Sequence, residues 1–348
     1  LGAAIGGTIQ RAKDDYGGVG LYVKLKQQEF FAPKHDHSGE CTDLDYQMYE
    51  GPIRNVDLIA SSISFMPGWR GYHAMELNEE GIVTQMRDGK ANFHPMRMGV
   101  RIVQGMFFYD ITGNPYYLQD AETHANALME RMVEINGGYF FPYGFAFPLH
   151  EYDDEVMTPP WYSGISQGAI LSGFARLYAA TGKSEHKEMA DRTFQSLQNR
   201  RIGEAEDPHS WIQCVNERGL VWLEEYPTDT PNFVLNGMIY AMQGLHDYHR
   251  LEGSEEAERL LRGTIETMRQ QVYEFRVEGG ISRYCLGHPK GAYRGYHDIH
   301  IDQILMLYNM TGDEFFMTAA ADFASDVGRD VAEYIRNPVN LKPRVEQE

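Results

Sequence analysis

The sequence is short of cysteines, of basic side chains and of long apolar runs. It has 348 residues, and its 31 basic against 50 acidic side chains give a formal charge of −19. Such a surface repels phosphate backbones and anionic lipids, so nucleic-acid binding is not expected. No run approaches the roughly 18–20 apolar residues that span a bilayer, so no membrane span is expected. The three cysteines lie far apart without a CxxC pair, which argues against structural zinc and a disulfide framework.

Hydrophobic residues make up 43% of the chain and aromatic residues 12%, which is enough to build a sizeable core. Within it, an apolar periodic segment ends four times at a glycine turn and is followed by a more charged segment. The turn glycines are Gly113, Gly182, Gly253 and Gly312, at intervals of about 60–70 residues. A repeat of that size with two helices in each unit predicts an α/α array. The predicted helix pairs are 95–110 with 115–134, 162–180 with 183–198, 233–251 with 254–273, and 297–309 with 313–335.

The two helices of each pair differ in polarity. First members such as GAILSGFARLYAA are apolar almost all round, whereas second members such as SEHKEMADRTFQSLQ carry one apolar stripe. Helices that are apolar on all sides are buried, and helices with one stripe lie outside them. We therefore predict a mainly α fold, an incomplete (α/α) barrel or toroid of about four pairs spanning 91–348, with β-hairpin-like loops at its mouth. Residues 1–90 read as a small β-containing segment, with strands expected at 19–25, 58–65 and 81–86.

The connections between pairs, at about 135–161, 199–231 and 274–296, are long and rich in glycine, proline and aromatic residues. Long loops in compact domains are usually functional. All three precede inner helices, so we expect them to meet at one mouth of the barrel. The N-termini of the inner helices point there, and their N–H groups favour anions.

Two of these connections carry candidate site residues. Trp161 and Tyr162 can stack on a sugar, with Gln167 one turn further on; the alternative is that they are core aromatics. In the second, Glu224 and Glu225 point to opposite sides of an extended segment, so one of them faces the mouth. Beside Tyr226 in a desolvated cleft that glutamate could act as a base, with Asn232 and Asn236 following; the alternative is a solvated loop pair.

The stretch 281–302 collects cations and imidazoles in an otherwise acidic chain, which predicts a bound anion. Its candidate residues are Tyr284, Arg294, Tyr296, His297 and His300. The two histidines also have the spacing of metal ligands on a helix, but no third ligand accompanies them and no metal is expected. The alternative is that one histidine caps the helix and the other packs inside. Arg97 and Arg101, one turn apart on an apolar helix, each require a carboxylate from the protein or from a substrate.

Three blocks together resemble a known family. PPWYSGISQGAILSGFARLY, LEEYPTDTPNFVLNGMIYAMQGLHD and YRGYHDIHIDQI are similar, in order and spacing, to the C-terminal domain of the D-glucuronyl C5-epimerases. The resemblance covers about residues 92–335. It implies an α/α barrel, a cleft for an anionic glucuronate-containing glycan, a homodimer, no cofactor, and conversion of D-glucuronate to L-iduronate in heparosan-type chains.

The resemblance also implies roles for individual residues. Glu225 and Tyr226 match the functional Glu-Tyr of the EEYP motif, Tyr296 matches the tyrosine before the paired histidine, and Tyr284 is similar to a further functional tyrosine. Where the family has Tyr-Phe-Tyr-Pro, this chain has Asn92-Phe93-His94-Pro95, and the large β-rich N-terminal region of animal members is reduced or replaced. These departures bear on whether heparosan is the natural substrate more than on which reaction is catalysed.

The resulting hypothesis is proton removal at C5 and reprotonation on the other ring face. Tyr226 with Glu225, and Tyr296 with Tyr284, form the opposed acid and base. The substrate carboxylate is neutralised by Arg97, Arg294, His297 or His300, and Asn236 is a neutral donor. The alternatives are a uronate polysaccharide lyase, a glycoside hydrolase using Glu225 with Asp154, and a non-catalytic glycan-binding protein.

The first residues, LGAAIGG, fit the remnant of a removed signal or anchor as well as an arbitrary start of the chain. We expect an extracytoplasmic or secreted protein, with a cytoplasmic one as the alternative. A polyanionic glycan held by an acidic protein needs a local basic cleft, so we expect modest, salt-sensitive affinity.

Overall fold

The computed structural model describes residues 7–13, 19–25, 40–59, 72–73, 75–87, 89–149, 155–203, 210–288 and 294–335. Eight helices of at least two turns lie within these residues, and they form the four predicted pairs. The inner members are α1 (Pro95–Thr112), α3 (Gly164–Thr181), α5 (Leu235–Glu252) and α7 (Arg294–Thr311). The outer members are α2 (Pro115–Met129), α4 (Ser184–Leu197), α6 (Glu255–Gln271) and α8 (Glu314–Asp326).

Each pair turns at one of the predicted glycines. Gly113, Gly182, Gly253 and Gly312 have φ values between 66° and 73°. This left-handed conformation is strained for any residue with a Cβ atom, which is why glycine ends each inner helix.

The inner helices are buried as their composition predicts. Fourteen of the eighteen residues of α3 are buried, against seven of the fourteen in α4. The inner helices pack in chain order, α1 on α3, α3 on α5 and α5 on α7. Helices α3 and α5 approach closely at Gly168 and Gly244, where a Cβ atom added to Gly244 would lie 1.9 Å from the carbonyl oxygen of Gly168. The predicted mainly α fold, an incomplete toroid of four pairs, is confirmed.

Short antiparallel strand pairs precede α1 and occupy the connections between the helix pairs. They are β1 (Gly7–Lys13) with β2 (Val19–Leu25), β3 (Thr84–Arg87) with β4 (Lys90–Phe93), β5 (Val133–Ile135) with β6 (Gly138–Phe140), β7 (Phe147–Pro148) with β8 (Val156–Met157), and β9 (Gln213–Val215) with β10 (Val221–Leu223). The expected strand at 19–25 is present, and the one at 81–86 is β3, shifted toward the C-terminus.

Three elements differ most from the prediction. α2 ends at Met129 because 133–135 pairs with β6, and α8 ends at Asp326, followed by a 3₁₀ turn at Val331–Glu333. Residues 58 and 59 form a turn in which the Ile59 N–H donates to Asp57 Oδ1. Residues 60–65, the remainder of that predicted strand, lie outside the described residues. The domain boundary near residue 90 stays a prediction.

An extended segment, 41–57, runs along the helical body and is hydrogen-bonded to it. Its backbone N–H groups donate to the carbonyls of Val215, Gly219, Arg262 and Met310 at 2.7–3.0 Å. A disulfide between Cys41 and Cys214, 173 residues apart, anchors its start. The sequence analysis did not predict this disulfide, because the two cysteines are far apart in the chain and only the fold brings the thiols together. Closing so long a loop stabilises the fold by about 5 kcal/mol.

Within the described residues, no helix is both long and apolar enough to cross a membrane.

Candidate active site

A cleft of about 440 Å³, including its open mouth, lies where the inner helices begin. The side chains that line it come from segments that precede or start α1, α3, α5 and α7, as the loop lengths predicted. They are Arg87, His94, Met96, Tyr143, Phe145, Phe147, Trp161, Ser163, Ile165, Glu225, Tyr226 and Tyr296.

Strand β10 leads directly into Glu224 and Glu225, which face opposite sides as expected of an extended segment. Glu224 is fully buried and accepts hydrogen bonds from the backbone N–H groups of Asn232 (3.2 Å) and Phe233 (3.0 Å). Glu225 faces the cleft and accepts a 3.2 Å hydrogen bond from the Tyr284 hydroxyl. Both carboxylates therefore have defined partners, and only Glu225 is placed for chemistry.

The backbone at 232–235, which begins with the two residues hydrogen-bonded to Glu224, also positions Tyr284. The Leu235 N–H donates to the Tyr284 carbonyl at 3.1 Å, and the Gly287 N–H donates to the Asn232 carbonyl at 3.0 Å. This antiparallel contact joins the loop before α5 to the loop before α7. Tyr284 thereby reaches Glu225 although 59 residues separate them in the sequence.

Three tyrosines form a cluster with Glu225, and Tyr284 contacts its other members. The ring of Tyr296 lies edge-on to that of Tyr284, with centroids 4.8 Å apart, and Tyr226 is half-buried at the cleft wall. Burial, followed by the charges of Glu225, Tyr226 and Tyr296, raises the pKa of Tyr284 well above its usual value. Tyr284 therefore stays protonated and donates to Glu225, and of these three tyrosines Tyr226 and Tyr296 line the cleft.

An aromatic wall forms the next side of the cleft. The rings of Trp161 and Tyr143 stack in parallel with centroids 3.8 Å apart, and Trp161 Nε1 donates to the Phe145 carbonyl at 2.8 Å. Phe147 stacks on both Trp161 (5.9 Å) and Tyr226 (5.6 Å). Trp161 lines the cleft, but Tyr143 covers one of its faces.

Two basic lining residues, His94 and Arg87, were not among the site residues predicted from the sequence. His94 stands where the family motif has tyrosine, which was the available signal. Burial, with the charges of Arg97 and then Arg87, holds the pKa of His94 well below its usual range, so the ring is uncharged at neutral pH. Arg87 ends β3 in a segment without a motif, and only the fold brings it to the cleft.

Five predicted substrate-binding residues lie away from the cleft lining, because they are buried among the helices: Tyr162, Gln167, Asn236, His297 and His300. Tyr162 packs on Phe140 in the core, with ring centroids 5.1 Å apart. Gln167 donates to the Tyr139 carbonyl at 2.8 Å and to Ser196. Asn236 is fully buried at the start of α5.

The two histidines anchor a loop and do not provide cations. His297 Nδ1 accepts from the Ser282 N–H at 2.9 Å, so its Nε2–H donates to the Phe323 carbonyl at 2.9 Å. His300 Nδ1 lies 2.7 Å from the Ser282 hydroxyl. Burial and the neighbouring His297 lower the pKa of His300 to about 3, so it carries no charge to offset a substrate carboxylate.

The two arginines of α1 have different environments. Arg97 is half-buried beside His94 and does not line the cleft. Arg101 is buried and forms a bidentate pair with Asp120 at 2.7 and 3.2 Å, so its carboxylate comes from the protein. The side chain of Arg294, and Asp154, lie outside the described residues.

In the described part of the chain, no three His, Cys, Asp or Glu side chains form a group suited to a metal ion. Cys285 is buried outside the disulfide, and burial raises the pKa of its thiol to about 12. A thiol with that pKa stays protonated and is a poor nucleophile.

Glu224 makes stability depend on pH. Burial raises its pKa to about 7, although two backbone N–H groups favour the charged form. A glutamate in the unfolded chain titrates near 4.3, so between about pH 4.3 and 7 the folded state keeps a proton that the unfolded state releases. Stability contributed by this group is present below that window and is lost as pH rises through it.

Glu224→Gln is therefore expected to flatten the decline in the free energy of unfolding from about pH 4.5 to 7.5. The parent should lose on the order of 3 kcal/mol relative to the variant over this interval. Urea unfolding of both proteins at several pH values measures the difference, and parallel stability curves would contradict the assignment.

Residues 135–325, more than half of the chain, match the family model described as D-glucuronyl C5-epimerase C-terminus. The chain belongs to this family. The family resemblance carried by the three sequence blocks is thus confirmed.

Two curated relatives match this C5-epimerase family member. A D-glucuronyl C5-epimerase of Caenorhabditis elegans is 24% identical over 243 residues, covering 64% of this chain and 38% of the relative. An uncharacterized protein of Methanocaldococcus jannaschii is 26% identical over 176 residues, covering 50% of this chain and 54% of the relative. The chain thus spans about half, or less, of the length of these two relatives.

Two solved structures are similar to this chain at a lower sequence identity than the two relatives above. A D-mannose isomerase is 14% identical with a TM-score of 0.49, covering 72% of this chain and 64% of its own. The cellobiose 2-epimerase of Spirochaeta thermophila is 13% identical with a TM-score of 0.49, covering 72% and 63%.

Proposed function

We propose that the protein is an isomerase that epimerises C5 of uronate residues in a glycan, interconverting D-glucuronate and L-iduronate. The observation that carries this proposal is the cluster at the cleft in which Tyr284 contacts Glu225 and Tyr296, while Glu225, Tyr226 and Tyr296 line the cleft. Membership of the C5-epimerase family supports the same reaction class.

The chemistry of C5 explains why such a cluster is needed. C5 lies α to a carboxylate, so its proton is weakly acidic and leaves only when the developing enediolate is stabilised. A reversible epimerase also needs a base on one ring face and an acid on the other, and each must work in both directions. Tyrosine meets this requirement because its hydroxyl donates a proton and its phenolate accepts one.

In the proposed mechanism Tyr226 and Tyr296 are the acid–base pair, and Glu225 with Tyr284 assists them. Tyr226 comes from the loop before α5 and Tyr296 from the first turn of α7. We propose that the sugar ring binds between them, with one hydroxyl on each face. Glu225 accepts a hydrogen bond from Tyr284. In the proposed mechanism this carboxylate takes the hydroxyl proton of the tyrosine that acts as base and passes it to the other tyrosine after that residue has protonated C5. The aromatic wall of Phe147 and Trp161 excludes water beside Tyr226.

The proposed substrate is a glucuronate-containing glycan of the heparosan type. The support is the family membership and the aromatic, partly basic cleft. We further propose that the protein acts outside the cytoplasm, where the Cys41–Cys214 disulfide persists. The expected homodimer stays a prediction.

A panel of uronate polymers incubated with the protein in deuterium oxide tests the function. Deuterium at C5 without chain cleavage is the expected result, and iduronate should appear in the same samples. Appearance of an unsaturated uronate chromophore would instead identify a lyase, and new reducing ends a hydrolase. Binding of a polymer without any label would identify a non-catalytic glycan-binding protein.

A further inference from the structure

Arg87 is placed at the cleft by the β3–β4 hairpin. Its guanidinium carbon lies 4.7 Å from the ring centroid of Phe145 and 4.8 Å from that of Phe147. Its Nε donates to Gln85 Oε1 at 3.4 Å. All three groups, the guanidinium and both rings, line the cleft. The planar group is thus held over two aromatic rings, an arrangement that orders an arginine before a ligand arrives.

Arg87 is positively charged, whereas the described lining otherwise includes the acidic Glu225 and the uncharged His94. Among the described lining residues the other basic side chain is His94, which is uncharged at neutral pH. Glu225 contributes a carboxylate, and the whole chain carries −19. A guanidinium is charged at any physiological pH. Arg87 therefore places a positively charged group on the described lining of the cleft.

The position of Arg87 relates it to the reactive groups. The Phe147 ring, 4.8 Å from the guanidinium, is stacked on the ring of Tyr226 with centroids 5.6 Å apart and an interplanar angle of 28°. An anion at Arg87 would lie beside the same aromatic ring that supports Tyr226. Since His297 and His300 are buried away from the cleft lining, they do not provide this charge.

We propose that Arg87 binds an anionic group of the glycan, a carboxylate or an N-sulfate, and thereby selects an acidic over a neutral sugar polymer. This inference rests on the proposed function, because it assigns the anion-binding residue of that cleft. A bidentate arginine–carboxylate contact is directional as well as charged, so lysine replaces its charge but not its geometry.

The test compares Arg87→Gln and Arg87→Lys with Lys90→Gln, which removes an exposed cation from the same hairpin without touching the cleft. Equilibrium binding is measured for unsulfated heparosan, N-sulfated heparosan and carboxyl-reduced heparosan at several salt concentrations. We expect Arg87→Gln to weaken binding of the acidic polymers by about tenfold or more and to reduce their salt dependence, with Lys90→Gln close to the parent. Arg87→Lys should keep more of the salt dependence than Arg87→Gln.

The polymers separate the two sources of the anion. An effect of Arg87→Gln on the unsulfated polymer that vanishes after carboxyl reduction identifies a carboxylate. An effect confined to the N-sulfated polymer identifies a sulfate. Unchanged affinity and salt dependence of Arg87→Gln for all three polymers would overturn the proposal, provided that its unfolding midpoint matches that of the parent.

Failure of this inference is distinct from failure of the proposed function. If the parent labels C5 and Arg87→Gln binds normally, only the role of Arg87 is lost. If the parent binds but never labels C5, the epimerase proposal fails, and the binding data still decide the role of Arg87.

Discussion

Tyr226→Phe and Tyr296→Phe are each expected to reduce deuterium exchange at C5 by 10²- to 10⁴-fold, the usual contribution of a positioned acid or base. Both hydroxyls belong to residues that line the cleft, and phenylalanine removes the proton-transfer atom while keeping the ring. The Tyr226 ring remains able to stack on Phe147, so the cleft should keep its shape. Exchange is followed by NMR on a glucuronate polymer in deuterium oxide, together with polymer affinity.

The matched control is Tyr116→Phe, which removes a hydroxyl from an exposed ring on α2 outside the cleft lining. It should exchange at the parent rate. If both cleft variants also exchange at the parent rate with unchanged unfolding midpoints, the acid–base assignment is wrong. Loss of affinity without loss of the rate at saturation would assign these hydroxyls to binding.

Gly237→Ala is expected to lower exchange by roughly 10²-fold, the cost of displacing a catalytic group by about 1 Å. A Cβ atom at position 237 would lie 2.4 Å from Glu225 Oε2 and 2.5 Å from Glu225 Cβ. Both distances are too short for contact, so Glu225 must move and its 3.2 Å contact with Tyr284 is lost. Because alanine favours a helix over glycine, α5 itself should tolerate the change.

The control for this variant is Gly144→Ala, beside the cleft, where an added Cβ atom meets nothing within 4 Å. It should retain activity. Circular dichroism and the unfolding midpoint verify that Gly237→Ala stays folded. A folded Gly237→Ala with parental exchange would show that the position of Glu225 does not govern the reaction.

Much of the architecture could be predicted because it is encoded locally. The 3.6-residue spacing of apolar side chains marks each helix, and the amount of apolar surface separates inner from outer members. Glycine at position 113 or 182 ends a helix by its own conformational freedom. The placement of Glu225 toward the cleft and Glu224 away from it also follows from local geometry, since neighbours on an extended segment alternate.

The remaining features required the tertiary structure, because they depend on residues that are distant in the sequence. From the sequence, His300 was a candidate cation. In the folded chain, burial and the neighbouring His297 lower the pKa of its ring to about 3, so it is uncharged. Arg87 carries no motif and reaches the cleft only through the β3–β4 hairpin.

Sequence alone therefore determined the helix pairs, their turns and the loops that form the mouth, since each depends on the order of nearby side chains. Only the folded chain decided which charges are solvated, which thiols meet in a disulfide, and which polar groups share the cleft with Glu225. Burial and contact are properties of the whole packed chain, and the free energy that sets a pKa or a hydrogen bond depends on them.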